Sequence, residues 1–102
     1  MQDSLLRTPS LAQRLFHPNE LELKTESLAA RFAAKEALAK AVGNPRILTW
    51  AEIEVEKDEN GKPNFVFHGD TKSRLSEAGI QVTHLSLSHD AGVAAAFVVL
   101  EA

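Results

Sequence analysis

The chain has 102 residues, 44% of them hydrophobic and 25% charged, with a net charge of −3 and no cysteine. That composition describes one small globular domain spanning residues 1–102. It excludes disulfides, thiol catalysis and zinc–thiolate sites, and its charge gives no reason to expect a nucleic-acid or anionic-membrane partner. No apolar run reaches the roughly 18 residues needed to span a bilayer. No basic segment followed by an apolar stretch opens the sequence, so a cytoplasmic protein is expected. A domain of this size buries only about two-thirds of the surface its unfolded chain exposes. Oligomerisation would be a natural way to bury more.

Residues 4–16 place Leu5, Leu6, Leu11, Leu15 and Phe16 at helical spacing, interrupted by Pro9. His17-Pro18-Asn19 reads as a stop and a turn, and residues 20–23 as one more helical turn. Thr25 is a good N-cap for a long helix through Val42. Nearly every residue in it is a strong helix former, and Gly43 with Pro45 closes it. The second half changes character. Ile53, Val55 and Lys57 alternate with Glu52, Glu54 and Glu56, as in a half-buried strand. Asp58-Glu59-Asn60-Gly61 is a turn, and residues 64–68 return as a second strand. Asp70 can cap a short helix to Ala78, stopped by Gly79. Residues 82–88 form a third strand with Val82, His84, Ser86 and Ser88 on one face. Asp90-Ala91-Gly92 turns the chain into a continuous apolar strand over 93–100, the pattern of a sheet centre. Helices first, then strands with one inserted helix, give an α+β class: a mainly antiparallel sheet packed against a long helix.

Three groups of residues carry candidate chemistry. On the long helix, Arg31 and Lys35 are four apart and share a face; Glu36 and Lys40 share another, with Phe32 one turn before Glu36. A carboxylate beside a lysine on a rigid helix is a plausible magnesium and phosphate site, since magnesium binds through one or two carboxylates plus substrate phosphates and an ammonium can neutralise developing charge. The spacing alone favours the ordinary stabilising pair of a solvated helix, worth about 0.2–0.5 kcal/mol. Ser86-Leu87-Ser88-His89-Asp90 combines hydroxyls, an imidazole and a carboxylate. Neighbours on a strand point to opposite faces, so Ser88 and His89 are poorly placed as nucleophile and base. Donors to a phosphate or adenine, or a plain polar strand end, suit them better. Asn60-Gly61-Lys62-Pro63 offers backbone N–H groups and a lysine to a phosphate, or is simply a hairpin turn. The four histidines are scattered with no close pair, which argues against a transition-metal site.

Read together, these segments resemble a known family. Arg31-Phe32-Ala33-Ala34-Lys35-Glu36-Ala37-Leu38-Ala39-Lys40-Ala41 is similar to the arginine-[Phe/Trp]-alanine-alanine-lysine-glutamate helix of the phosphopantetheinyl transferases. Trp50-Ala51-Glu52-Ile53-Glu54-Val55, Asn60-Gly61-Lys62-Pro63 and Leu85-Ser86-Leu87-Ser88-His89-Asp90 resemble the following blocks of the small bacterial holo-[acyl-carrier-protein] synthases, in the same order. The resemblance implies the 4'-phosphopantetheinyl transferase fold and transfer of phosphopantetheine from coenzyme A to a serine of an apo-acyl-carrier protein, with release of 3',5'-ADP. It makes Glu36 a Mg2+ ligand and Lys40 the lysine that assists as the pyrophosphate bond breaks. Arg31 and Lys35 match positions near the coenzyme A phosphates. Gly61, Lys62 and Pro63, with Ser86, Ser88 and His89, match segments lining the nucleotide. Arg7 and Arg14 match basic positions that meet the acidic carrier, and the site lies between subunits of a homotrimer. Glu36, acting through magnesium or a bound water, would help deprotonate the carrier serine.

The sequence departs from the family pattern in three places. Family members begin with a Gly-x-Asp strand whose aspartate is a second magnesium ligand. Here Met1 falls within the segment that follows, and Asp3 lacks both the strand and the glycine, so the domain reads as N-terminally truncated. Val42-Gly43-Asn44-Pro45 replaces a more glycine-rich loop, and the connection from Leu23 to Arg31 is short. Three functions fit this pattern. One is an active transferase. Another is an inactive truncated homologue that binds coenzyme A or oligomerises without turnover. The last is a small α+β binding domain whose charged helix is merely solvated.

Overall fold

A computed structural model describes residues 9–90 and 92–102. Helix α1 (Pro9–Leu15) leads into a 3-10 turn at Pro18–Glu20. Helix α2 (Thr25–Val42) follows, then short 3-10 turns at Pro45–Ile47 and Trp50–Glu52. The rest is strand β1 (Ile53–Lys57), β2 (Pro63–Phe67), helix α3 (Gly69–Glu77), β3 (Val82–Asp90) and β4 (Val93–Glu101). The α+β class expected from the sequence is the observed one. No helix among the described residues is long and apolar enough to cross a membrane.

The strands form two antiparallel hairpins. β1 pairs with β2 from Ile53↔Phe67 to Lys57↔Pro63. β3 pairs with β4 from Val82↔Glu101 to Asp90↔Val93. The hairpins meet along β2 and β3 without a shared ladder, and α2 lies across β3 and β4. The core forms under α2, whose buried face sets Leu28, Ala30, Ala34 and Leu38 beside Arg31 and Lys35. Leu38 packs with Leu48, Ile53 and Leu75; Ala34 packs with Val55 and Leu85.

Several boundaries differ from the sequence reading, each for a local reason. The N-cap of α2 is Lys24, whose backbone is extended, so Thr25 is the first helical residue. Gly43 closes the helix as expected, at φ 79°, its N–H donating to Ala39 O. Asp70 lies in the first turn of α3 rather than capping it; His68 holds the cap position. β3 runs two residues further than expected, carried on by pairing with β4. The largest correction concerns β4. Its burial alternates strictly along the strand, and among the described residues it pairs only with β3, so it is not a sheet centre there. Val93 and Phe97 are 66% and 70% exposed on its outer face.

Candidate functional site

Helix α2 divides its charges between two environments. Successive residues are rotated by about 100° around a helix. Arg31 and Lys35 therefore fall on the buried face with Leu28, Ala34 and Leu38, while Glu36 and Lys40 fall on the exposed one. Glu36 and Lys40 stand one turn apart at the surface. Neither makes a side-chain hydrogen bond or ion pair among the described residues, so both heads are available to a ligand.

The inner charges are engaged. Lys35 is 0% exposed and Glu20, which meets it, is 1% exposed. Lys35 Nζ donates to Glu20 Oε1 at 2.6 Å, to Leu15 O at 2.9 Å and to Trp50 O at 3.2 Å. An ammonium has three donors, so none is left for a phosphate. Burial pulls the Lys35 pKa below the usual lysine value, and the charge and hydrogen bond of Glu20 offset only part of that. Glu20 Oε1 also accepts from His17 N at 2.9 Å, and its Oε2 from Val55 N at 2.9 Å. Arg31 Nε donates to Val55 O at 3.2 Å and stands 3.6 Å from Glu20 Oε2. Arg31 is itself 7% exposed. Within one chain, then, both side chains are turned into the core, and the Lys35 ammonium is fully engaged there. They clamp α2 to β1 and to the turn after α1. Glu20, the centre of this network, carried no assignment from sequence. Its signal was the spacing His17-x-x-Glu20: the two residues form a reciprocal capping box around the 3-10 turn.

The remaining candidates lie on other surfaces. In the β1–β2 turn, Asp58 takes the backbone donors that a phosphate would need. Its Oδ1 accepts from Asn60 N and Lys62 N, both at 2.9 Å, and its carbonyl accepts from Gly61 N at 2.9 Å. The expected cradle of N–H groups is therefore filled from within. What the turn offers outward is the exposed Lys62 and the half-buried ring of Pro63, with Gly61 at φ 81° making the reversal possible. Ser86 and Ser88 are exposed on β3, opposite Phe97 and Ala95. Leu85 between them and α2 packs inward against Ala34, so the serines occupy the face of the hairpin turned away from α2. The backbone of His89 pairs with Ala94. Arg14 is exposed in the last turn of α1; Arg7 and Asp3 lie outside the described residues. One chain thus does not bring Glu36 and Lys40 together with the two serines.

An open cleft of about 630 Å³ lies between the start of α2 and the β3–β4 turn, lined by Thr25, Glu26, Ser27, Ala29, Asp90, Gly92 and Ala94. Its charged lining is two carboxylates, which would repel a diphosphate. The histidines correct the sequence reading more sharply. His17 and His68 are far apart in sequence, yet their rings stack with centroids 4.3 Å apart, beside Glu54. Glu54, expected on the solvent side of β1, is only 6% exposed.

Residues 2–98 match the model of the 4'-phosphopantetheinyl transferase superfamily. Among similar curated proteins, the holo-[acyl-carrier-protein] synthase of Clavibacter michiganensis is 53% identical over 95 residues, covering 93% of this chain and 80% of that protein. Among solved structures, the holo-[acyl-carrier-protein] synthase of Neisseria meningitidis superposes with a TM-score of 0.87 at 34% identity, covering 99% of this chain and 87% of that one. The Helicobacter pylori synthase in complex with coenzyme A gives a TM-score of 0.82 at 28% identity, over 98% of this chain and 89% of that one.

Proposed function

The chain belongs to the 4'-phosphopantetheinyl transferase superfamily, and we propose from that premise how its own residues perform the transfer of phosphopantetheine from coenzyme A to a serine of an apo-acyl-carrier protein. The serine oxygen bonds to the β-phosphorus of coenzyme A, the pyrophosphate bond breaks, 3',5'-ADP leaves and the serine proton is released. Such reactions depend chiefly on positioning and on stabilising charge. The observation that carries the reading is the split of α2: Glu36 and Lys40 are held outward, one turn apart, by a helix whose other charges are locked inside.

Lys40 supplies an ammonium that neutralises charge on the phosphate as the bond to the leaving group breaks. Glu36 fits magnesium: an exposed carboxylate on a rigid helix is the kind of protein oxygen donor that magnesium takes, one or two at a time, beside phosphate and water. A bound magnesium ion would supply Lewis acidity at the phosphate oxygens. Lys62, Pro63, Ser86 and Ser88 line the nucleotide in this reading, the lysine meeting phosphate and the hydroxyls donating to polar atoms. Arg14 meets the acidic carrier. Arg31 and Lys35 act from inside by fixing the helix.

The separation of the serines from Glu36 within one chain favours a site completed by a second subunit. The open face of β4 favours the same arrangement, with Val93, Phe97 and Val99 exposed on it. We propose a homotrimer in which these faces meet and each site draws Glu36 and Lys40 from one subunit and the β3 serines from a neighbour.

The experiment is release of 3',5'-ADP from coenzyme A with an apo-carrier protein and magnesium, compared between the wild type and two variants. Glu36→Gln is expected to abolish magnesium-dependent turnover. Lys40→Ala is expected to lower kcat about 10²–10³-fold. Both should leave stability within about 0.5 kcal/mol, since neither side chain is buried. Undiminished turnover in Glu36→Gln would remove its role as a metal ligand.

A further inference from the structure

The fold assembles a second set of ligating groups that the transfer reaction does not use. His17 follows α1, Glu54 lies in β1 and His68 stands between β2 and α3. One ligand atom from each lies within 4.8 Å of the others. His68 Nε2 is 2.9 Å from Glu54 Oε1, and His17 Nδ1 is 3.8 Å from the same oxygen. Tetrahedral zinc with bonds of about 2.0–2.1 Å holds its ligand atoms about 3.3 Å apart. The two rings are stacked at 21° to one another, so both imidazoles would turn to aim their nitrogens, with the Glu54 oxygen, at one ion.

His17 Nδ1 accepts the Asn19 N–H at 3.1 Å, so its lone pair is turned to that donor, and a metal ion would take the place of this cap bond. The same nitrogen stands 3.8 Å from a Glu54 carboxylate oxygen.

The surroundings hold the ligands in place. Asn19 Nδ2 donates to Glu54 Oε2 at 3.2 Å, orienting the carboxylate as outer-shell partners do at metal sites. His17 N is tied to Glu20 Oε1, and His68 N donates to Glu52 O at 2.8 Å, so both imidazoles hang from anchored backbone. His68 keeps its side chain 40% exposed, leaving a route for the ion and room for a water ligand.

We propose that His17, Glu54 and His68 form a zinc-type transition-metal site, separate from the magnesium ligand Glu36, that clamps the turn after α1 to the β1–β2 hairpin. Two imidazoles and one carboxylate suit zinc or cobalt(II) over magnesium, which prefers an all-oxygen shell. Binding moves the His68 proton from Nε2 to Nδ1 and frees Nε2 for the metal. The fourth position belongs to water.

Wild-type protein stripped with EDTA and returned to buffer with magnesium is titrated with Zn2+ and followed by calorimetry and thermal melting. One ion per chain and a rise of about 10–20 °C at a hundredfold excess over Kd are expected. The double variant His17→Thr, His68→Gln keeps the cap acceptor and the donor to Glu54. It should melt near the stripped wild type and lose the zinc response. A wild type that ignores zinc, or a double variant that still responds, overturns the site. A second readout needs no variant: in wild-type protein labelled with 15N at histidine, zinc should shift His17 Nδ1 and His68 Nε2. Shifts confined to His84, which pairs with Glu101 at 2.8 Å on the surface, would place the metal elsewhere and equally overturn it.

Discussion

Glu20 and Lys35 show how one buried ion pair can set the outward chemistry of a helix. Two charges taken out of water cost several kcal/mol each, and the cost is met only when geometry and further hydrogen bonds are good. Here they are: among the described residues, no buried side-chain nitrogen or oxygen lacks a partner. Removing one member should be far worse than removing both. Glu20→Gln leaves the Lys35 ammonium buried against a neutral amide, and about 3–5 kcal/mol of stability should be lost in urea denaturation. Adding Lys35→Met should restore part of it. A loss below about 1 kcal/mol for Glu20→Gln would mean the network contributes little. The outer pair, Glu36 and Lys40, was legible in the sequence because helical spacing alone places two residues on one face. Glu20 was not, because its partners Lys35 and Val55 reach it only through tertiary packing. The burial of Arg31 and Lys35 was not legible for the same reason: spacing says which residues share a face, not which face is buried.

At the scale of the element, α2 was readable almost to its ends because helix formers and a closing Gly43 agree with the tertiary contacts. The strands were readable in number and order. β4 was misread, since an unbroken apolar run suits both a sheet centre and a strand whose second face is covered by another chain. The junction before α3 carries a constraint that sequence did not announce. Gly69 has φ 57°, and a Cβ there would collide with the Glu52 carboxylate. That carboxylate is fixed: its Oε1 accepts from Thr71 N at 3.0 Å and from Thr71 Oγ1 at 2.8 Å. The hydroxyl bond is the main cause of its lowered pKa. Gly69→Ala should therefore cost more than about 1 kcal/mol in chemical denaturation. A neutral or stabilising effect would show that the positive φ is not required.

At the scale of the whole molecule, the distribution of the site matters most. α2 faces one way with Glu36 and Lys40, and the β3–β4 hairpin faces the other with Ser86, Ser88 and Phe97. The proposed trimer, closed over the outer face of β4, would reconcile the two. Phe97→Asp places a charge in the middle of that face. It should convert trimer to monomer in light scattering and remove transferase activity, with secondary structure retained in circular dichroism. An unchanged trimer would move the interface elsewhere.

The most direct test of the transferase reading is the intact mass of the carrier itself. Incubation of this protein with coenzyme A, magnesium and an apo-acyl-carrier protein should raise the carrier's mass by one phosphopantetheine, at its serine, and the gain should vanish when coenzyme A is omitted. A carrier of unchanged mass, with the protein folded and binding coenzyme A, would contradict the account.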